Sequence, residues 1–144
     1  MDTTLKASQS IEINATAESV WDTLTNPEKI KIYLFGTETT TDWKVGSTIA
    51  FEGNYNGHVY KDKGNVLEVK ENESLKYNYW SGMSGLEDKI ENYFIVTYLI
   101  ESTSENKVKF TWHQEGFPTE EKRLHTENGL IPMLEQIKNI SEQR

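Results

Sequence analysis

The sequence predicts a single α+β domain over residues 1–144, in which an antiparallel sheet grips a long C-terminal helix and two short helices follow the first strand. Three observations predict it. Only Thr119 to Gln143 sustains a helical period: at about 100° per residue Leu130, Met133, Leu134, Ile137 and Ile140 share one apolar stripe, and Glu135, Gln136, Lys138 and Asn139 fall outside it. Two helix-start signals stand close together, at Thr16 and at Asn26-Pro27. The stretch between those helices and the last one reads as strands separated by polar turns, and such segregated elements argue against repeated βαβ units.

Taken in order, Leu5 to Ile13 alternates loosely through Ala7, Gln9, Ile11 and Ile13 and ends at Asn14-Ala15. Thr16 caps a short helix burying Ala17, Val20, Trp21 and Leu24. Asn26 caps the next, with Pro27 at its first position and Ile30, Tyr33 and Leu34 on its buried side. Thr37 to Thr41 reads as a loop and Asp42 to Gly46 as a turn into a strand from Thr48 to Gly53. Asn54 to Gly57 is the next turn. Val59 to Lys70 is strand-like, with an interruption expected at Lys61-Asp62-Lys63-Gly64, where glycine marks a bulge or bend.

After the turn at Glu71 to Ser74, Leu75, Tyr77 and Tyr79 share one strand face. Ser81 to Ile90 is a loop. Glu91 to Glu101 and Lys107 to His113 form a hairpin whose faces carry Phe94, Val96, Tyr98 and Ile100 on one strand and Val108, Phe110 and Trp112 on the other. Gln114 to Pro118 leaves the sheet. In the terminal helix, Arg123, Thr126 and Glu127 continue the buried stripe towards the N-terminus, and Gly129 and Pro132 lie where the pattern changes. Pro132 has no N–H for the carbonyl of Asn128, so a kink or short break is expected there, with a pocket beneath it.

A chain of 144 residues suffices for one core. Its 15 Lys+Arg against 23 Asp+Glu give a net charge of −8, which repels phosphate backbones and anionic membranes, so no nucleic-acid partner is expected. No apolar run approaches the roughly 18 residues of a spanning helix, and Met1 to Ser10 lacks the apolar centre of a signal peptide. A soluble, cytoplasmic protein without a membrane span is the expectation. The absence of cysteine removes disulfides, thiol nucleophiles and thiolate metal sites. Seven Tyr, four Trp and five Phe point to a core of few large side chains, several with polar tips.

Several local sequences, in order and spacing, resemble the homologues of the heat shock protein 90 ATPase activator. They are Thr16 to Trp21, Trp43-Lys44-Val45-Gly46 leading into Phe51, Gly64 to Val69, Leu75-Lys76-Tyr77 and Gly116-Phe117-Pro118. That family belongs to the START-like, Bet v 1-like (SRPBCC) superfamily. The resemblance implies a helix-grip fold, a curved antiparallel sheet wrapped around a long C-terminal helix, and a cavity that commonly holds an apolar ligand. It also implies a chaperone or stress-related role as one alternative. Members often carry tryptophan after the glycine of the terminal helix. Here Leu130 follows Gly129, and Pro132 comes soon after, which softens the lower pocket wall. A chain of this length leaves no room for the separate N-terminal domain through which the activator engages its chaperone, so co-chaperone activity is not implied.

The ionisable candidates near the expected pocket mouth are His113 and His125, the one ending a strand and the other on the first half of the helix. As an acid–base pair they would make an enzyme, but no nucleophile accompanies them. No histidine pair has metal-ligand spacing, and His58 reads as a turn residue. Glu68 is expected to face outward. Arg123 and Glu127 stand one helical turn apart and, with Thr126 and His113, are assigned to the pocket mouth. The aromatic set Tyr77, Tyr79, Phe94, Tyr98, Phe110 and Trp112 is expected to line the cavity with Leu130, Met133, Leu134 and Ile137. The expectation is therefore a non-catalytic protein that binds a small apolar, amphipathic or lipid-like ligand without a cofactor or metal. The alternatives are a chaperone-interaction module and, third, an enzyme using His113 or His125.

Overall fold

The computed structural model describes residues 5–55, 57–82 and 85–143. Residue 56 of the expected Asn54 to Gly57 turn and residues 83–84 of the Ser81 to Ile90 loop lie outside the described residues.

The strand β1 (Lys6–Ile13) is followed by helices α1 (Ala17–Thr25) and α2 (Pro27–Tyr33). Six strands come next: β2 (Glu38–Thr40), β3 (Thr48–Tyr55), β4 (His58–Lys70), β5 (Ser74–Ser81), β6 (Phe94–Ser104) and β7 (Lys107–Glu115). A 3-10 turn at Ile90–Asn92 precedes β6, and α3 (Glu120–Glu142) completes the order. The strands form one antiparallel sheet ordered β1-β7-β6-β5-β4-β3-β2. This is a meander from β2 to β7 to which β1 returns, with Ala7 opposite Gln114 and Ile11 opposite Phe110.

The caps hold these helices where the side-chain chemistry requires. Thr16 Oγ1 accepts the N–H of Ser19 at 3.1 Å, Asn26 Oδ1 that of Glu28 at 3.0 Å, and Thr119 Oγ1 that of Lys122 at 3.2 Å. Each satisfies a helix N–H that has no carbonyl one turn back. Strand alternation then places Ile13, Val66, Leu75, Tyr77, Val96, Tyr98, Phe110 and Trp112 on one face of the sheet, all buried. The stripe of α3 packs on that face through Leu130, Leu134, Ile137 and Ile140, with Met133 partly buried beside them. A closed ring of hydroxyl bonds ties α3 to α1. Ser141 Oγ meets Thr23 Oγ1 at 2.8 Å, Thr23 donates to the carbonyl of Ser19, and Ser19 Oγ donates to that of Ser141 at 2.9 Å.

Four local expectations are corrected. The threonine-rich loop contains β2, because Thr39 turns inward and pairs with Phe51 of β3. β4 runs unbroken through Lys61 to Gly64, and its register shift falls between Val66 and Glu68. Gly64 serves close approach: a Cβ there would stand 1.8 Å from the carbonyl oxygen of Asn78. β7 extends two residues past His113, to Glu115. Finally α3 is continuous, with Pro132 inside it, so the break that was the alternative to a kink does not occur. One lost hydrogen bond does not interrupt a helix clamped by buried Leu130 and Leu134, and the nearby carbonyl of Glu127 accepts the side-chain amide of Gln9 at 3.1 Å. Glu68 is exposed on the outer face, as its strand position suggested.

Candidate functional site

Between the sheet and the first half of α3 lies a cavity of about 390 Å³. Its floor is Phe51 of β3, Tyr60 and Asp62 of β4, Tyr77 and Tyr79 of β5, and Trp112 and Gln114 of β7. His125, Thr126, Gly129, Leu130 and Met133 of α3 form the roof, and Leu34 and Thr37 close the end beyond α2. Each floor residue is inward by the two-residue period of its strand. The roof is open where the polar half of α3 presents Thr126 and Gly129 ahead of Leu130 and Met133. A Cβ added at Gly129 would meet no atom within 4 Å.

The end wall depends on a glycine. At Gly53 a Cβ would stand 2.3 Å from the Tyr60 hydroxyl, so the ring of Tyr60 crosses the strand where a side chain is missing. Its hydroxyl reaches Thr37 Oγ1 at 2.5 Å and ties the floor to the segment after α2.

Polar tips on the floor are mostly satisfied. Gln114 accepts from the indole N–H of Trp112 at 3.2 Å and donates to the Tyr79 hydroxyl at 3.1 Å. Tyr77 and Tyr98 share a hydrogen bond of 2.8 Å, and Tyr33 donates to the carbonyl of Leu24 at 3.1 Å. Burial pushes the Tyr79 phenol up to about 12, against the opposing effect of its bond with Gln114. Tyr77 and Tyr98 are raised by burial as well. These phenols stay protonated and act as hydrogen-bond groups.

Asp62 is the exception. Burial raises its carboxyl above the ordinary range, opposed by a hydrogen bond with Ser81, its neighbour across the β4–β5 ladder. Its Oδ1 is buried without a hydrogen-bond partner among the described residues.

Of the residues the sequence nominated, Tyr77, Tyr79, Trp112, Leu130, Met133, Thr126 and, at the rim, His125 come together here. The remaining nominees lie elsewhere. Phe94 stacks between Tyr79 and Phe117, each 5.2 Å away between ring centres. Tyr98, Phe110, Leu134 and Ile137 are filled core. Arg123 and Glu127 turn to β1: Arg123 Nη1 donates to the Lys6 carbonyl at 3.2 Å, and Glu127 Oε1 accepts the Ser8 N–H at 3.3 Å. His113 alternates with Trp112 onto the outer face, 3.7 Å from Glu115. His125 is exposed at the rim of the roof, so the sheet separates the two histidines. Nothing in the sequence reading nominated Leu34, Thr37, Phe51, Tyr60, Asp62 or Gln114, and Gly129 was marked only as the change of pattern above the expected pocket. The alternation Tyr60-x-Asp62-x-Gly64-x-Val66 was the available signal for the β4 wall.

Among the described residues, no three His, Cys, Asp or Glu side chains are grouped to hold a metal ion, and no helix is long and apolar enough to cross a membrane.

The family described as "Activator of Hsp90 ATPase homolog 1-like protein" matches residues 14–142. A search of curated proteins finds no match. The solution structure of ChR145 from Cytophaga hutchinsonii is similar with a TM-score of 0.83 and 38% identity, over 99% of this chain and 97% of that one. PFC0360w from Plasmodium falciparum, named as an HSP90 activator, has a TM-score of 0.73 and 17% identity over 94% and 95% of the two chains. CalU16 from Micromonospora echinospora has a TM-score of 0.71 and 16% identity over 95% and 76%. The last two likenesses are of fold, and the helix-grip architecture is common to all.

Proposed function

The chain belongs to the family of activator of Hsp90 ATPase homolog 1-like proteins, and from that premise we propose that it binds one small apolar or amphipathic molecule between the sheet and α3. The observation that carries this reading is the cavity of about 390 Å³, walled by aromatic rings and by Leu34, Leu130 and Met133. The cavity opens to solvent through its roof, so the space is filled by water or by a ligand. Water against so many ring faces is readily displaced, and the few polar tips on the floor orient what replaces it. Binding is favoured over acid–base chemistry by a histidine pair because the sheet separates His113 from His125.

Native mass spectrometry of protein purified from its own host, with titration of a neutral fluorescent apolar probe, tests the reading. A reproducible extra mass released by denaturation, and saturable binding of one probe per chain, are expected. Neither appearing would end it. A second reading, contact with a chaperone, is favoured by the family's description and by the name of the Plasmodium relative. Co-purification of a chaperone whose ATPase rate rises with added protein would support it.

A further inference from the structure

We propose that the molecule held in the cavity is an organic amine, whose protonated nitrogen binds Asp62 and whose apolar body lies against the aromatic floor. The inference rests on the reading of the cavity as a ligand site and assigns the chemistry of the head group. Asp62 points inward from β4 because Lys61 and Lys63 on either side are exposed on the outer face, where Lys61 pairs with Glu52 at 3.8 Å and Lys63 with Asp88. Both nearby cations are therefore turned away from it. No lysine or arginine among the described residues lines the cavity, and His125 stands exposed on the roof.

One carboxylate oxygen of Asp62 is left buried without a hydrogen-bond partner, an arrangement that a donor entering the cavity would complete. A neutral hydroxyl would satisfy the hydrogen bond and leave the charge uncompensated. A protonated amine satisfies both, whereas an anionic head would meet repulsion. The surroundings favour the same choice. Phe51, paired with Asp62 across the β3–β4 ladder, and Tyr79, 6.2 Å from Phe51 between ring centres, offer ring faces whose quadrupoles attract a cation. With a net charge of −8, the whole chain also draws cations towards its surface.

The test uses three probes of one chain length, octylamine, octanol and octanoate, titrated by calorimetry at neutral pH into the full protein and into Asp62→Asn. Octylamine is expected to bind about tenfold more tightly than octanol, with octanoate weakest, and Asp62→Asn to bring octylamine and octanol within about threefold. The wild-type ranking needs no variant, so it stands even where Asp62→Asn fails to fold. If the three probes bind alike in wild type, or if Asp62→Asn keeps the amine preference, the amine assignment is overturned and the cavity reading survives. If no probe binds to wild type, the cavity reading falls and the amine assignment falls with it.

Discussion

Glu127 of α3 accepts the backbone N–H of Ser8 at 3.3 Å, and Ser8 lies on β1, an edge strand of the sheet among the described residues. Arg123, bonded to Glu127 and Glu120, donates to the Lys6 carbonyl, so two helix side chains occupy the donor and acceptor that a further strand would use. At the other end Glu142, paired with Lys138, accepts the N–H of Asn14 at 2.8 Å. The helix thus shields the edge strand that would otherwise invite pairing with a second chain. Glu127→Ala is expected to raise amide exchange at Ser8 and to lower the thermal midpoint, since it also removes a partner of the half-buried Arg123. Unchanged exchange at Ser8 would show that the contact does not protect the edge.

The same carboxylates set an acid limit. Arg123 and the Ser8 N–H hold Glu127 below the ordinary range, and Lys138 and the Asn14 N–H do so for Glu142. Groups depressed in the folded state stabilise it above their unfolded value and lose that contribution as pH falls through the folded one. The midpoint of wild type should therefore fall between neutrality and about pH 3, and fall less in Glu127→Gln/Glu142→Gln. Parallel curves would refute the assignment.

Asp62 has the opposite sign. Its carboxyl is raised by burial, so its contribution is complete below the unfolded value and is lost as pH rises through the folded one. Without ligand, Asp62→Asn should raise the midpoint at neutral pH, by about 2–4 °C for each kcal/mol of charge burial relieved. At low pH the gain should vanish. Differential scanning fluorimetry across the range decides it, and a lower midpoint at neutral pH would mean that the carboxylate is already compensated.

Two glycines should answer substitution in opposite ways. Gly64→Ala drives a Cβ to 1.8 Å from the backbone oxygen of Asn78 and is expected to cost about 1–3 kcal/mol or more in denaturant unfolding. Gly129→Ala enters open space on a helix and should gain up to about 1 kcal/mol. Equal effects at the two sites would contradict the packing described.

Gly129→Leu extends that contrast to binding. It should keep or raise the midpoint while lowering affinity for a neutral apolar probe by about tenfold, because its side chain occupies the roof opening. Pro132→Ala, which restores an N–H for the Asn128 carbonyl, should raise the midpoint with little effect on the probe, since Pro132 is exposed and does not line the cavity. A loss of probe affinity in Pro132→Ala alone would mean that helix curvature shapes the pocket.

Elements were legible where the signal was local. Thr16, Asn26-Pro27 and Thr119 cap their helices through side-chain oxygens two or three residues from the N–H they accept, and the α3 stripe follows from spacing. The cavity was only half legible. A strand face identifies Tyr77 and Trp112 as inward but not which inward rings are covered by Leu134 and Ile137 and which by the open half of the helix. Asp62 was missed because Lys61 to Gly64 reads as an interruption, which leaves no inward face to assign it to, and its partner Ser81 is known only through the β4–β5 register. The roles of Arg123 and Glu127 needed contacts spanning most of the chain.

The pairing of β1 with β7 has a consequence for the order of synthesis. During translation the strands from β2 to β6 can pair with their neighbours as they emerge, but β1 must wait for β7, and the aromatic face must wait for α3. At about 5–20 residues per second, that leaves seconds in which a nascent sheet shows its greasy side to other chains. A chaperone at the ribosome exit would meet this sheet with its rings uncovered.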